Sequence, residues 1–539
     1  MSEITYRADV VVVGAGLAGM VTALELLDAG RRIVLLDRAP ESRFGGLARL
    51  SFGGLFFVDS PEQRRGGIRD SVELALADWF AYGELGPDDV WPRRWAEAFV
   101  RRVTPDVRGW LHARGVRFVF AVNWTERGWF VPGNSVPRFH LAWGCGEGIV
   151  GPLVERLERH PQRANLDLRF DHTVDGFVVT DGRFTGCHGR GPEGEFEAHG
   201  DAVVLACGGL AGSLEQVRRY WAPSLGTPPD LLLNGSHEEA DGLLLDAARQ
   251  AGASVTHLEK MWNYAAGVRH WRPRFANDGL SLVPGKSGLW LNYRGQRFDD
   301  PPLVGSYDTL ALVERICREE KKYSWQVLNY RIARRELAVS GAEFNPTIRD
   351  HRMAAFLLRL LRGDRKMVDD FVAHCPDFVT AGTVPALAEK MNALAGSDDV
   401  DTDALAGTIA RYDGSVARGR AYHNDDQLRR IAHARQYRGD RLRTCRNARI
   451  LDPKGLPLIA IRLGILTRKS LGGIVVDDQA RVLAPDGRRL DGLYAVGEAC
   501  GFGGGGMHGR RALEGTFLTG CVFSGRTAAR SLLTGSGLA

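Results

Sequence analysis

Residues 8–19 read Ala8-Asp-Val-Val-Val-Val-Gly14-Ala-Gly16-Leu-Ala-Gly19, and this stretch decides the fold. Four successive valines suit a strand of a parallel sheet, buried on both faces. A G-x-G-x-x-G follows at once, and residues 20–29 have helical apolar spacing closed by Gly30. A second apolar run, Arg31-Arg-Ile-Val-Leu-Leu-Asp37, ends in an acid twenty-three residues after Gly14. The order is strand, glycine turn, helix, strand, acid. Gly14 makes the tight turn, Gly16 lets the backbone approach a pyrophosphate, and Gly19 lets helix and strand pack closely. The helix N-terminus offers an anion site, and Asp37 would accept from a ribose hydroxyl.

Working outward, the chain returns to nucleotide chemistry at its far end. Asp491-Gly-Leu-Tyr-Ala-Val-Gly497-Glu498 is a short strand delivering an acid just after a glycine. Gly501-Phe-Gly-Gly-Gly-Gly506 follows, then a helix with a small-residue face from about Gly515 to Ala529. An acid and a helix start at that point suit FAD rather than NAD. The acid would hold the ribityl or pyrophosphate part, and the helix dipole would face the N1–C2=O edge of the flavin. Ala202-Val-Val-Leu-Ala-Cys207-Gly-Gly-Leu-Ala-Gly212 imitates a second dinucleotide turn. Its first motif position is Cys207, and no strand ending in an acid follows at the right distance. We read it as a turn packed near the same flavin, so no site for NAD(P)H is evident.

The whole chain sets the frame for these motifs. Its 539 residues predict two or three domains. With 44% hydrophobic and 25% charged residues it has the balance of an ordinary globular protein, not of a disordered or fibrous one. The net charge of +5, from 70 basic and 65 acidic residues, gives no reason to invoke nucleic acid or a membrane surface. Eight scattered cysteines without a C-x-x-C read as free thiols, and no metal site is expected. The uncharged run from Val10 to Leu24 is too short to span a bilayer and lacks a cleavage signal, so the expected location is the cytoplasm.

The motifs resemble those of the fumarate reductase/succinate dehydrogenase flavoprotein superfamily, in the FAD-binding dehydrogenase group related to 3-ketosteroid dehydrogenases. The likeness runs through Gly14–Gly19 with Asp37, Gly45-Gly46, Gly133-Asn-Ser135-Val-Pro-Arg138-Phe-His140 and Ala206-Cys-Gly208-Gly209. It continues in Ala240-Asp241-Gly242, Leu289-Trp-Leu-Asn-Tyr-Arg-Gly295-Gln-Arg297-Phe298, Leu471-Gly472-Gly473, Gly492–Glu498, His508-Gly509 and Gly515-Thr516. The resemblance implies an α/β fold: a Rossmann-like FAD-binding domain, residues 1–256 and 458–539, with an inserted α+β capping domain, residues 257–457. It places non-covalent FAD on Gly14, Ala15, Gly16, Ala18, Gly19, Asp37, Arg38, Gly45, Gly46, Leu47, Ser51, Gly53 and Gly54. Val174, Ala206, Cys207, Gly208, Asp241, Gly497, Glu498, Gly515, Thr516 and Phe517 complete that set.

The family chemistry moves a hydride between a substrate carbon and flavin N5, with a proton transfer at the adjacent carbon. The dicarboxylate clamp of the fumarate reductases is largely missing. Arg468-Lys469 stands where the family has two histidines, and Ala512 where it has an arginine, with Arg510 and Arg511 just before. Asp299-Asp-Pro-Pro302 replaces the acid and arginine after Arg297-Phe298. A histidine is likewise replaced within Met261-Trp262-Asn263-Tyr264. Trp262, Tyr264 and Tyr307 could form an apolar pocket with phenol donors. The catalytic candidates are Arg468 and Arg511 as carbonyl or anion contacts, Tyr264 as acid/base, and His508, which would chiefly order the glycine turn.

Three readings stay open. The chain could desaturate a hydrophobic or cyclic ketone next to its carbonyl, reduce a non-dicarboxylate enone, or bind flavin without catalysis. The partners expected are a small-molecule substrate and an unidentified electron acceptor or donor, with no nucleic acid and no membrane span. Two compositional outliers have no assigned role. Seven of the twelve tryptophans lie in residues 79–143, as helix packing or a cleft wall. Eight arginines and one acid, Asp440, lie between Arg429 and Arg449, as a solvated or interdomain seam or as a site for an anionic substrate group.

Overall fold

The computed structural model describes residues 4–299, 301–535 and 537. Val10–Val13 is the centre of a six-stranded sheet, flanked by Ala202–Leu205 and Ile33–Leu36, all parallel. Leu166–Arg169 extends one side and Arg489–Ala495 the other, with Arg481–Leu483 antiparallel at the edge. The four valines are fully enclosed, as a doubly covered strand requires. The apolar run taken from the sequence as strand turning into helix does so: helix Leu17–Asp28 starts at Gly16.

Two glycines show why the turn needs them. Gly14 has φ +109°, and a Cβ there would lie 2.4 Å from the Ala206 carbonyl oxygen. A Cβ on Gly19 would lie 1.9 Å from the Gly14 carbonyl oxygen. The C-terminal helix Thr516–Thr534 packs across Leu17–Asp28, where Gly525 leaves room for the Ala18 carbonyl. The two ends of the chain therefore build one nucleotide-binding face.

A four-stranded sheet, in the order Ile4–Arg7, Gly194–His199, Arg183–Gly191 and Thr173–Thr180, lies beside this core. A larger sheet is organised around the long strand Leu458–Ser470. Met261–Arg269 and Ser324–Asn329 flank it antiparallel. Leu232–Asn234 and Phe378–Ala381 pair with the same strand. Strand Leu458–Ser470, expected to begin the returning flavin segment, is thus hydrogen-bonded to three strands from residues 257–457 and to one before them. Helices Thr309–Cys317, Val384–Ala395 and Thr402–Ala417 are among those covering this part. Among the described residues, no helix is long and apolar enough to cross a membrane. All eight cysteines are free.

Candidate active site and cofactor cleft

A cleft opens where the first glycine turn meets the Ala206-Cys-Gly208 turn. It is lined by Gly14, Gly16, Asp37, Arg38, Gly46, Leu47, Val174, Ala206, Cys207, Gly208, Asp241 and Glu498, all expected from the sequence. Asp37 accepts from the backbone N–H groups of Ala15 at 2.6 Å and Ala39 at 2.8 Å. Burial nonetheless holds its carboxyl above the usual range. Arg38 and Asp241 form an ion pair at 2.9 Å across the same end. Sequence reasoning missed His172, His237 and Glu239, which also line the cleft. They belong to no glycine motif, so nothing local marked them.

The cleft suits the cofactor implied by the motifs. Helix Leu17–Asp28 begins at Gly16 with no side-chain cap, and nothing lies within 4 Å of a Cβ built there. Its first N–H groups are left for an anion. Helix Thr516–Thr534 likewise starts at Gly515 without a side-chain cap. Glu498 sits between these ends, accepting from Ser470 N–H at 2.9 Å and lying 3.4 Å from the Lys469 ammonium. Carboxylate, open helix terminus, second carboxylate and second helix terminus are the acceptors and donors that suit a dinucleotide with a flavin head.

The other expected cofactor residues are not all in the cleft lining and make contacts of their own. Ala18 backs onto Gly497, Gly45 bridges to Gly16, and Ser51 accepts from the Gly53 N–H at 3.1 Å. Gly54 opens the short strand Gly54–Phe56. Thr516 bonds His508, and Phe517 packs on Phe502 and the His508 ring. His508 is stacked on Trp79, and burial lowers its pKa to about 3, so the ring stays neutral.

The catalytic candidates part company in space. Strand Met261–Arg269 brings Trp262 and Tyr264 against Glu514, the residue before the N-cap of the C-terminal helix. Trp262 Nε1 donates to Glu514 Oε1 at 2.8 Å, and the Tyr264 hydroxyl donates to the same oxygen at 2.6 Å. Among the described residues no hydrogen bond engages Oε2 of Glu514. Burial raises the Glu514 pKa, while the cations Arg468 and Lys469 work against that rise. The Tyr264 phenol is pushed well above its ordinary value by burial and the neighbouring Glu514, so it stays protonated and donates. Arg468 donates to the Gly235 carbonyl.

Arg511 differs from the expectation of a substrate contact. It is buried, forming ion pairs with Glu84 and, at 3.3 Å, with Asp308. Two carboxylates engage its charge. Tyr307 has a different partner from Tyr264: its hydroxyl donates to the Arg430 carbonyl at 2.8 Å. Asp300 lies outside the described residues.

A further buried acid, Glu126, accepts from the Tyr82 hydroxyl and from Thr309 Oγ1 at 2.6 Å. Burial and the nearby Glu514 raise its pKa to about 8. Neither Glu126 nor Glu514 lies in a motif that the sequence singled out. Their one signal was an acid just before a glycine helix start, at Glu514-Gly515.

Comparison with known proteins shows the family and the fold. A family model described as "FAD binding domain" matches residues 9–518. A KsdD-like steroid dehydrogenase of Mycolicibacterium smegmatis is 44% identical over 533 residues, covering 95% of this chain and 96% of that one. The 3-ketosteroid Δ1-dehydrogenase of Sterolibacterium denitrificans superposes with TM-score 0.71 at 15% identity, over 98% of this chain and 100% of that one. The open conformation of a flavocytochrome c3 fumarate reductase superposes with TM-score 0.67 at 21% identity, over 98% of this chain and 79% of that one.

Proposed function

The chain belongs to the FAD binding domain family, and we propose that it is an FAD-dependent dehydrogenase that desaturates a hydrophobic, cyclic, ketosteroid-like ketone next to its carbonyl. The observation that carries this reading is Glu514. It is half-buried, one oxygen is anchored by Trp262 and Tyr264, the other has no hydrogen bond among the described residues, and it immediately precedes the helix start that suits a flavin. The steroid dehydrogenase name of the relative at 44% identity supports the substrate class.

We assign FAD to the cleft from Asp37 to Glu498, with segment 257–457 as the cap. Bound FAD supplies the acceptor for the hydride that leaves the substrate. Glu514 takes the proton from the carbon beside the carbonyl through Oε2. Trp262 and Tyr264 hold Oε1 and stabilise the carboxylate form by hydrogen bonding. Arg468 adds positive potential, favouring ionised Glu514 and the negative charge that develops on the ketone oxygen. Loss of the proton and the hydride leaves a new carbon–carbon double bond conjugated with the ketone. The buried indole of Trp262 keeps water from the anchored oxygen.

Anaerobic mixing tests the reading. A saturated 3-ketosteroid should bleach the oxidised flavin and give the conjugated enone. If ketones leave the flavin unchanged while enones reoxidise reduced flavin, the protein is a reductase and the reading fails.

A further inference from the structure

A second pocket, of about 360 Å³, lies beside the acid cluster and is lined by Arg127, Tyr307, Asp426, Arg429, Arg430 and His433. That volume is at the small end of ligand sites. The pocket is built from two of the features left unassigned by the sequence: the tryptophan-rich segment and the start of the arginine-rich stretch. The Arg127 guanidinium stacks on Trp124 at 4.4 Å and faces Tyr307 at 5.6 Å. The Arg430 guanidinium lies over Trp129 at 4.8 Å and Tyr307 at 4.9 Å. Rings on their faces leave the N–H edges of both groups to find acceptors sideways, the geometry that suits carboxylate or phosphate.

Those acceptors are incomplete. Nη1 of Arg127 and Nε of Arg430 are buried donors with no hydrogen-bond partner among the described residues, and the Arg127 side chain is 2% exposed. A buried guanidinium without an acceptor is costly. Asp440 serves Arg127 and lies 3.9 Å from Lys286, and Asp426 lies 3.4 Å from Arg429. Three guanidiniums thus share two carboxylates, and among the described residues no carboxylate reaches Arg430. His433 is held towards neutrality by burial and by Arg127 and Arg430.

The pocket also adjoins the buried acids Glu126 and Asp308. Glu126 precedes Arg127, and Asp308 follows Tyr307. Thr309 bonds Glu126, and Gly128 N–H donates to the Tyr307 carbonyl at 2.7 Å. Two neighbouring segments therefore carry the buried acids and the arginine pocket on adjacent residues.

We propose that this pocket binds a carboxylate or phosphate group through Arg127, Arg429 and Arg430. The anion is either carried by the molecule oxidised at the flavin, which rests on the function proposed above, or free, which does not. FAD-loaded protein is titrated with inorganic phosphate against chloride at constant ionic strength, following heat of binding and melting temperature. Phosphate should bind to the wild type, and at least fivefold more weakly to both Arg429→Gln and Arg430→Gln; the exposed Arg429 keeps the test readable if Arg430→Gln folds poorly. Phosphate binding equal in the wild type and both variants, or indistinguishable from chloride in the wild type, overturns the site. Paired ketosteroids ending in a carboxylate or its carboxamide then separate the sources. A kcat/KM ratio of about ten in favour of the acid, falling towards one in the variants, places the anion on the substrate. A wild-type ratio near one with phosphate binding intact makes it a free anion. Absence of turnover with either ketone removes the oxidation reading and leaves the phosphate result standing.

Discussion

The Tyr264 hydroxyl donates to Oε1 of Glu514 across 2.6 Å, joining residues 250 positions apart in the chain. With Trp262 on the same oxygen, the carboxyl is fixed in orientation, and Oε2 is left for chemistry.

Replacing Glu514 with Gln removes the proposed base while keeping an acceptor for both donors. We expect FAD to be retained and flavin reduction by ketone to slow by about 10²–10⁴-fold. Tyr264→Phe removes one donor to Oε1 and should slow it by about tenfold, from roughly 1–1.5 kcal/mol. Stopped-flow bleaching decides; wild-type rates in Glu514→Gln would remove it from the mechanism.

Arg468 should act through the titration of Glu514. The base works ionised, so activity falls as pH drops through its raised pKa. Arg468 opposes that rise. In Arg468→Ala the acid limb of the kcat profile should therefore move to higher pH, and Glu514→Gln should have no such limb. A limb unmoved in Arg468→Ala would mean that Arg468 serves only the Gly235 carbonyl.

Arg511→Ala should damage stability rather than catalysis alone. It leaves Asp308, fully buried, without its cation. Breaking such a pair by removing one partner costs about 3–5 kcal/mol. A drop of several degrees in melting temperature is expected, smaller when Asp308→Asn is combined with it. A variant as stable as the wild type but slow would return Arg511 to the list of substrate contacts.

Glu126 makes stability depend on pH. Its pKa is raised to about 8 in the folded protein, so the folded state holds a proton that the unfolded state has lost. Stability from this group falls as pH rises from the ordinary carboxyl range towards about 8, then levels off. Glu126→Gln should gain melting temperature relative to the wild type on going from pH 6 to pH 9. A constant difference would show that Glu126 is ionised throughout.

Asp37→Ala should lower FAD occupancy without unfolding the chain. Each charge-assisted hydrogen bond to a ribose hydroxyl is worth about 1.5–3 kcal/mol. Acid precipitation of the wild type should leave flavin in the supernatant, because Gly45-Gly46 is followed by Leu47 and Ala48, not histidine. Unchanged occupancy, or colour in the pellet, would count against these two assignments.

The nucleotide fold was legible because its determinants are consecutive. Valines, glycines, helix and Asp37 lie within thirty residues, and backbone sterics tie each to its place: the turn at Gly14 admits no Cβ, and the strand admits only apolar residues. The return at Glu498 carried a second local pattern of the same kind. The proposed reaction centre had no such run. Trp262, Tyr264 and Glu514 meet only because strand Met261–Arg269 pairs with Leu458–Ser470 and the C-terminal helix starts beside it. Burial there raises the pKa of Glu514, ion pairs commit Arg511 to Glu84 and Asp308, and Tyr307 lines an arginine pocket. Charge and pKa depend on neighbours in space, which spacing along the chain does not encode. The sequence determined the cofactor; tertiary packing decided the partners, and so the charge state, of each acid and arginine.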